Sequence, residues 1–133
     1  MGIAANEDVI LATVSNLNLF ALVDSLGRTG TPELIIYPAA FAYFAGEGRS
    51  AKEITAEYHV QVRAQNTASE AAAARDAYTL IDAVRDAIHG KPIFANGDFA
   101  RCVARELTGW NEEESVIEYT LKFTIEKMIT IGM

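Results

Sequence analysis

Two histidines, a single cysteine and a run of three glutamates are the residues whose types could do chemistry in this chain. His59 alternates with apolar neighbours and falls on the polar side of an extended segment, while His89 closes a helical one, where a cation meets the helix dipole favourably. Neither has a second ligand close in sequence and neither sits in a hydrolase motif, so no zinc or catalytic role is expected of them. Cys102 is the sole cysteine, which rules out an intrachain disulfide and a cysteine zinc cluster. No helix start or basic cluster flanks it to favour the thiolate, and it reads as a small core residue. Glu112, Glu113 and Glu114 offer oxygens that suit a hard cation. Three consecutive side chains do not converge on one ion, however, and a solvated turn is the expectation.

Gly46-Glu47-Gly48-Arg49-Ser50 has the glycines of a phosphate loop. It lacks the lysine, leads into a strand instead of a helix, and carries a glutamate that would repel an anion. It is read as a hairpin turn. Tyr43, Phe44 and Tyr58 could stack bases, but their period-two setting in acidic surroundings favours a sheet core. Trp110 is open between a core edge and an interface anchor. No nucleophile, base and oxyanion donor fall together. The chain is therefore expected not to be an enzyme, with no catalytic, cofactor-binding or metal-ligating residues and no cofactor.

The elements that would position these residues are legible from periodicity. Ile54, Ala56, Tyr58, Val60, Val62 and Ala64 alternate with Glu53, Thr55, Glu57, His59, Gln61, Arg63 and Gln65. Ile117, Tyr119, Leu121, Phe123 and Ile125 alternate with Glu118, Thr120, Lys122, Thr124 and Glu126. A period of two over such lengths predicts half-buried strands. At ~3.3 Å per residue each runs roughly 40 Å, against a diameter of roughly 35–40 Å for a compact chain of this size. Such strands must bend or project, which suits a subunit that pairs with copies of itself. On this assignment Tyr119→Lys destabilises the fold, whereas Thr120→Lys is tolerated by the isolated subunit.

Asn6 is placed to cap a first helix, with Glu7 and Asp8 in its first turn and Ile10, Val14 and Leu17 as its buried stripe. Phe20–Leu26 predicts a short strand, and Gly27–Pro32 a turn. Glu33–Tyr37 is open between a short helix and an extended piece, ended by Pro38. Ala39–Gly46 predicts a buried strand. Thr67 and Glu70 have capping-box spacing ahead of a helix whose buried stripe is Ala74, Ala77, Ile81, Val84 and Ile88. Gly90 and Pro92 stop it. Lys91–Asp98 is a loop, Arg101–Trp110 a strand of poor alternation, and Asn111–Glu114 a turn. The fold class expected is α+β: a largely antiparallel sheet of four to five strands with long hairpins and two main helices on one face, in the order α-β-β-β-α-β-β.

The 133 residues suggest one domain, 1–133. With 18 acidic and 11 basic residues the net charge is −7, which disfavours a general nucleic-acid binder. No signal peptide is expected, since no basic region precedes the first apolar stretch and Asn16 and Asn18 interrupt it, and no apolar run reaches the length of a membrane span.

Pro38-Ala39-Ala40-Phe41-Ala42-Tyr43-Phe44-Ala45-Gly46, followed by the strand Ile54–Gln65 and the helix Ala71–His89, resembles the tail-terminator (neck) proteins of Mu-like contractile-tailed phages and prophages. The pattern covers most of the chain, with its sharpest piece in the aromatic strand ending in Ala-Gly; the region after Gly90 departs most. The resemblance implies a virion-assembly protein that forms a homo-oligomeric ring, commonly a hexamer, at the head-proximal end of the tail tube. It would stop tail growth and join the tail to the head. Implied partners are further copies of itself, tail tube and sheath proteins, and head–tail connector proteins. No membrane is involved, and the place of action is the virion neck after assembly in the host cytoplasm. DNA would pass through without specific binding, since an acidic lumen repels it and lets it slide. Alternatives are a head–tail joining or other tail-completion protein and, in a different class, a small ligand-binding or enzymatic α+β domain.

Overall fold

The computed structural model describes residues 2–26 and 34–128. The turn expected at 27–32 and the first residue of the open 33–37 stretch lie outside them. Over the described residues the order is α1 (Ile3–Ser15), β1 (Leu22–Ser25), β2 (Ala39–Arg49), β3 (Glu53–Gln65), α2 (Glu70–Ile88), β4 (Ala100–Asn111) and β5 (Val116–Met128). This is the expected α+β arrangement, with both helices on one face. The strands form one sheet in the order β1-β2-β3-β5-β4. β1 runs parallel to β2 and every other pair is antiparallel.

The two alternating segments form the sheet's centre. β3 and β5 pair without a break from Glu53–Met128 to Gln65–Val116, so equal alternation on both strands puts Tyr58 beside Phe123 and Val60 beside Leu121. All four are buried under the helices. α2 reaches that face because Ala73 and Ala77 allow close approach, while Ile81, Val84 and Ile88 fill the layer between. β4 alternates poorly for a local reason. Two β-bulges, at Cys102/Ala104 and Leu107/Gly109, each reset which face the following residues take.

Several boundaries differ from expectation. The first helix starts at Ile3 with Gly2 as its N-cap, so Asn6 lies inside it and does not cap. Glu7 is buried and accepts a hydrogen bond from the Ser25 hydroxyl, anchoring α1 to β1. Ser69, not Thr67, caps α2, accepting from the Ala72 N–H at 3.0 Å. Ser69 can do so because its own backbone is extended there. The β2–β3 hairpin is present, but β2 continues to Arg49 across a bulge between Phe44 and Gly46. The reversal therefore falls at residues 50–52, where the Ser50 hydroxyl accepts from the Glu53 N–H at 3.1 Å. Residues 34–37 are neither helix nor strand. No described helix is long and apolar enough to cross a membrane.

Candidate functional site

One face of the sheet carries the helices; the other is polar and faces outward over β3, β5 and β4. This open face is the surface on which the sequence-selected polar residues gather. Register brings them together. His59 lies beside Tyr43 on one side and Lys122 on the other. Its Nδ1 meets the Tyr43 hydroxyl at 2.9 Å and its Nε2 meets a Glu57 carboxylate oxygen at 2.6 Å. The phenol can donate to Nδ1 or accept from it. With both nitrogens engaged, His59 has no lone pair free for a metal.

A second group sits one row away. The Arg63 guanidinium donates to Glu118 at 3.1 Å and to Gln61 at 3.0 Å, and its carbon stands 4.7 Å from the centre of the Phe41 ring. That stacking lets Phe41, on the polar side of β2, be fully buried. The Thr108 hydroxyl, displaced onto this face by the second bulge, lies 2.7 Å from Glu118 and 2.9 Å from the Thr120 hydroxyl. Thr120 is only 4 % exposed. The expectation that Thr120→Lys is tolerated is therefore corrected, because the hydroxyl is buried in a layer of cross-strand pairs. Lys122 and Glu106 extend it, 3.4 Å apart.

The remaining candidates stay apart. His89 caps α2, but its Nδ1 accepts the Cys102 backbone N–H at 2.9 Å. The bond ties the end of α2 to the start of β4. Cys102 packs against the core, and burial pushes its thiol above the ordinary value, away from the thiolate that chemistry requires. Glu112, Glu113 and Glu114 are exposed in a turn fixed by the Asn111 side chain, which accepts from the Glu114 N–H at 3.1 Å. Among the described residues no group of three or more acidic, histidine or cysteine side chains is placed to hold a metal ion. Tyr58 and Phe44 meet edge to face at 5.5 Å on the helix-covered side, while Tyr43 points to the open side, so the three aromatics do not form one stacking platform. Trp110 is half-buried against the core edge.

Sequence reasoning missed the Tyr43–His59 and Arg63–Phe41 pairs, because it treated strands one at a time. Counting the hairpin back from residues 50–52 would have missed them too: the bulge between Phe44 and Gly46 shifts the register by one, so an unbroken count sets Tyr43 opposite Val60 instead of His59.

The architecture defines a class: an α+β fold with one helix-covered sheet face and one open polar face. No protein-family model matches the chain, and no curated protein matches it in sequence. Among solved structures it is similar to a chain of the virion of a native gene transfer agent particle, with a TM-score of 0.62 at 12 % identity. The similarity spans 96 % of this chain and 98 % of that one. It is a likeness of fold along the whole of both chains.

Proposed function

We propose that the chain is a structural protein of a phage-like virion that acts by assembly and not by catalysis. Within the virion we assign it to the tail terminator, a ring of copies at the head-proximal end of the tail tube that ends tube and sheath growth and presents a surface to the head-side connector. The observation that carries the reading is the end-to-end likeness to a chain of the gene transfer agent virion. The resemblance of the aromatic strand Ala39–Gly46 and its neighbours to tail terminators narrows it. The open face supports it, because its polar groups hydrogen-bond one another and leave no converging reactive set. DNA is read as passing through the ring unbound.

Deleting the gene from the phage or prophage that carries it tests the role. The expected result is tails of uncontrolled length that do not join heads, with normal length restored by the intact gene in trans. Tails of normal length joined to heads would overturn the assignment. Tails of normal length that fail to join would move the chain to a head–tail joining role.

A further inference from the structure

The loop between α2 and β4 holds the one Asn-Gly step of the sequence, Asn96-Gly97. Both residues have positive φ, 61° at Asn96 and 75° at Gly97. Asparagine followed by glycine fills two successive left-handed positions at low cost, because asparagine tolerates that region and glycine has no Cβ to clash. The turn is closed by the Phe94 N–H donating to the Asp98 carbonyl and the Asp98 N–H donating to the Ala95 carbonyl, both at 3.2 Å. It is anchored through Phe94, which is 5 % exposed and part of the core. Asn96 and Gly97 themselves are exposed. A Cβ built at Gly97 would meet no atom within 4 Å, and among the described residues the Asn96 side-chain amide has no hydrogen-bond partner. Water reaches the step, and the surroundings leave it room to move.

We propose that Asn96 is a self-modification site, whose side-chain amide becomes a carboxylate in the folded chain. The Gly97 backbone nitrogen, having lost its proton to base, bonds to the Asn96 Cγ. The adduct expels ammonia, which takes its proton from water, and a five-membered succinimide remains. Water then opens the ring at either carbonyl, giving aspartate or isoaspartate. One water is consumed and one ammonia released, with no change of oxidation state. From ψ 18° at Asn96 the following peptide must rotate to bring its nitrogen onto Cγ, and the open space around Gly97 allows it. Glycine serves twice, since it permits the turn and leaves the attacking nitrogen uncrowded. The other asparagines lack this combination. Asn18 also has positive φ, but Leu19 follows it and its amide donates to the Asn16 carbonyl at 3.3 Å. Asn66 is held by Asp76 and by the Ala68 N–H, each at 2.9 Å, and Asn111 by the Glu114 N–H. Asn6 lies within α1 and Asn16 ends it. Conversion makes the net charge one unit more negative than −7 and sets the new carboxylate two residues from Asp98. The isoaspartate form also adds one methylene to the main chain inside the turn. The inference is independent of the assembly reading.

Timed incubation of the full-length chain tests this. The protein is held at mildly alkaline pH, sampled over days, digested and mapped by mass spectrometry, while circular dichroism checks that it stays folded. The expected result is the mass gain of an amide-to-acid exchange at Asn96 ahead of every other asparagine. It should come as two products of equal mass that separate by chromatography, one of which accepts a methyl group from S-adenosylmethionine in the presence of an isoaspartyl methyltransferase. On anion exchange a later-eluting, more acidic species should grow in step. Asn96→Gly keeps a residue suited to the left-handed backbone and removes the amide, so it should abolish both the mass gain and the acidic species. An Asn96 that stays an amide in the folded chain yet converts in urea would overturn the proposal, because the fold would then shield the step. Conversion of Asn18 or Asn66 as fast as Asn96 would overturn it too, and so would an unchanged Asn96 in both states.

Discussion

The helix-covered face and the open face are made by alternate residues of the same strands, yet they are held by different forces. On the covered side Tyr58, Val60, Leu121 and Phe123 are buried by α1 and α2, and apolar burial at roughly 25 cal/mol per Å² supplies the stability. On the open side no described helix lies over Gln61, Arg63, Glu118 or Lys122. Order comes from cross-strand ion pairs and hydroxyl bonds that are each worth little in water. One face therefore fixes the fold, while the other fixes a surface of defined shape and balanced charge.

The largest break in this comparison is on the covered face. Phe123→Ala removes a fully buried ring between α2 and the sheet and should cost about 3–5 kcal/mol of unfolding free energy, read from urea denaturation. A loss under about 1 kcal/mol would mean that this face is loosely packed and the contrast is false.

Thr120→Lys probes the opposite side of the same strand. The hydroxyl is buried and bonded to Thr108, so the substitution should not be neutral. The lysine stem can lie across the sheet with its amine in water, and Thr108 keeps Glu118 as a partner. The expected loss is about 1–2 kcal/mol, well below that of Phe123→Ala. Equal losses for the two would erase the distinction between the faces.

How much of this was legible in the sequence follows from the same contrast. Alternation in β3 and β5 marks the strands and their buried sides, because a period of two is local. The order of elements, the turn at 111–114 and most of the α2 stripe are legible for the same reason, though Ala73 and not Ala74 is the buried alanine of its first turn and Leu80 joins it. What stayed hidden is non-local. Nothing near Phe41 announces that Arg63, 22 residues on, will cover its ring, and nothing near Glu7 announces Ser25. The two bulges of β4 were visible only as failed alternation. The cap of α2 was misplaced because Thr67 and Glu70 satisfy a capping-box pattern, while the backbone turns two residues later. The open face is defined by register across strands, which single-strand patterns do not encode.

The Arg63–Glu118 pair offers a finer measure. Both side chains are about one-fifth exposed, so screening by water is incomplete but real. A double-mutant cycle with Arg63→Met and Glu118→Gln should give a coupling of about 0.5–1 kcal/mol. Arg63→Met alone should cost more than Glu118→Gln alone, because it also uncovers Phe41. The reverse order would show that the guanidinium does not shield that ring.

The smallest effect at neutral pH returns to the covered face. Burial and then its hydrogen bond with Tyr78 push the Tyr119 phenol up to about 12 from the ordinary 10. The sign follows from linkage: above pH 10 the unfolded chain releases this proton while the folded chain still holds it. The contribution is therefore whole below pH 10 and fades between pH 10 and about 12. Tyr37 and Tyr58 are also raised by burial, so the whole protein should weaken in alkali, and only a difference isolates Tyr119. Tyr119→Phe should differ little from the parent at pH 8, by no more than the hydrogen bond, about 1 kcal/mol. Between pH 8 and pH 11 it should lose less stability than the parent does. Identical losses would mean that the phenol is as wet as a free one. The groove between α2 and β4, where Tyr119 and Tyr78 meet edge to face at 5.8 Å, would then be open to water at its base.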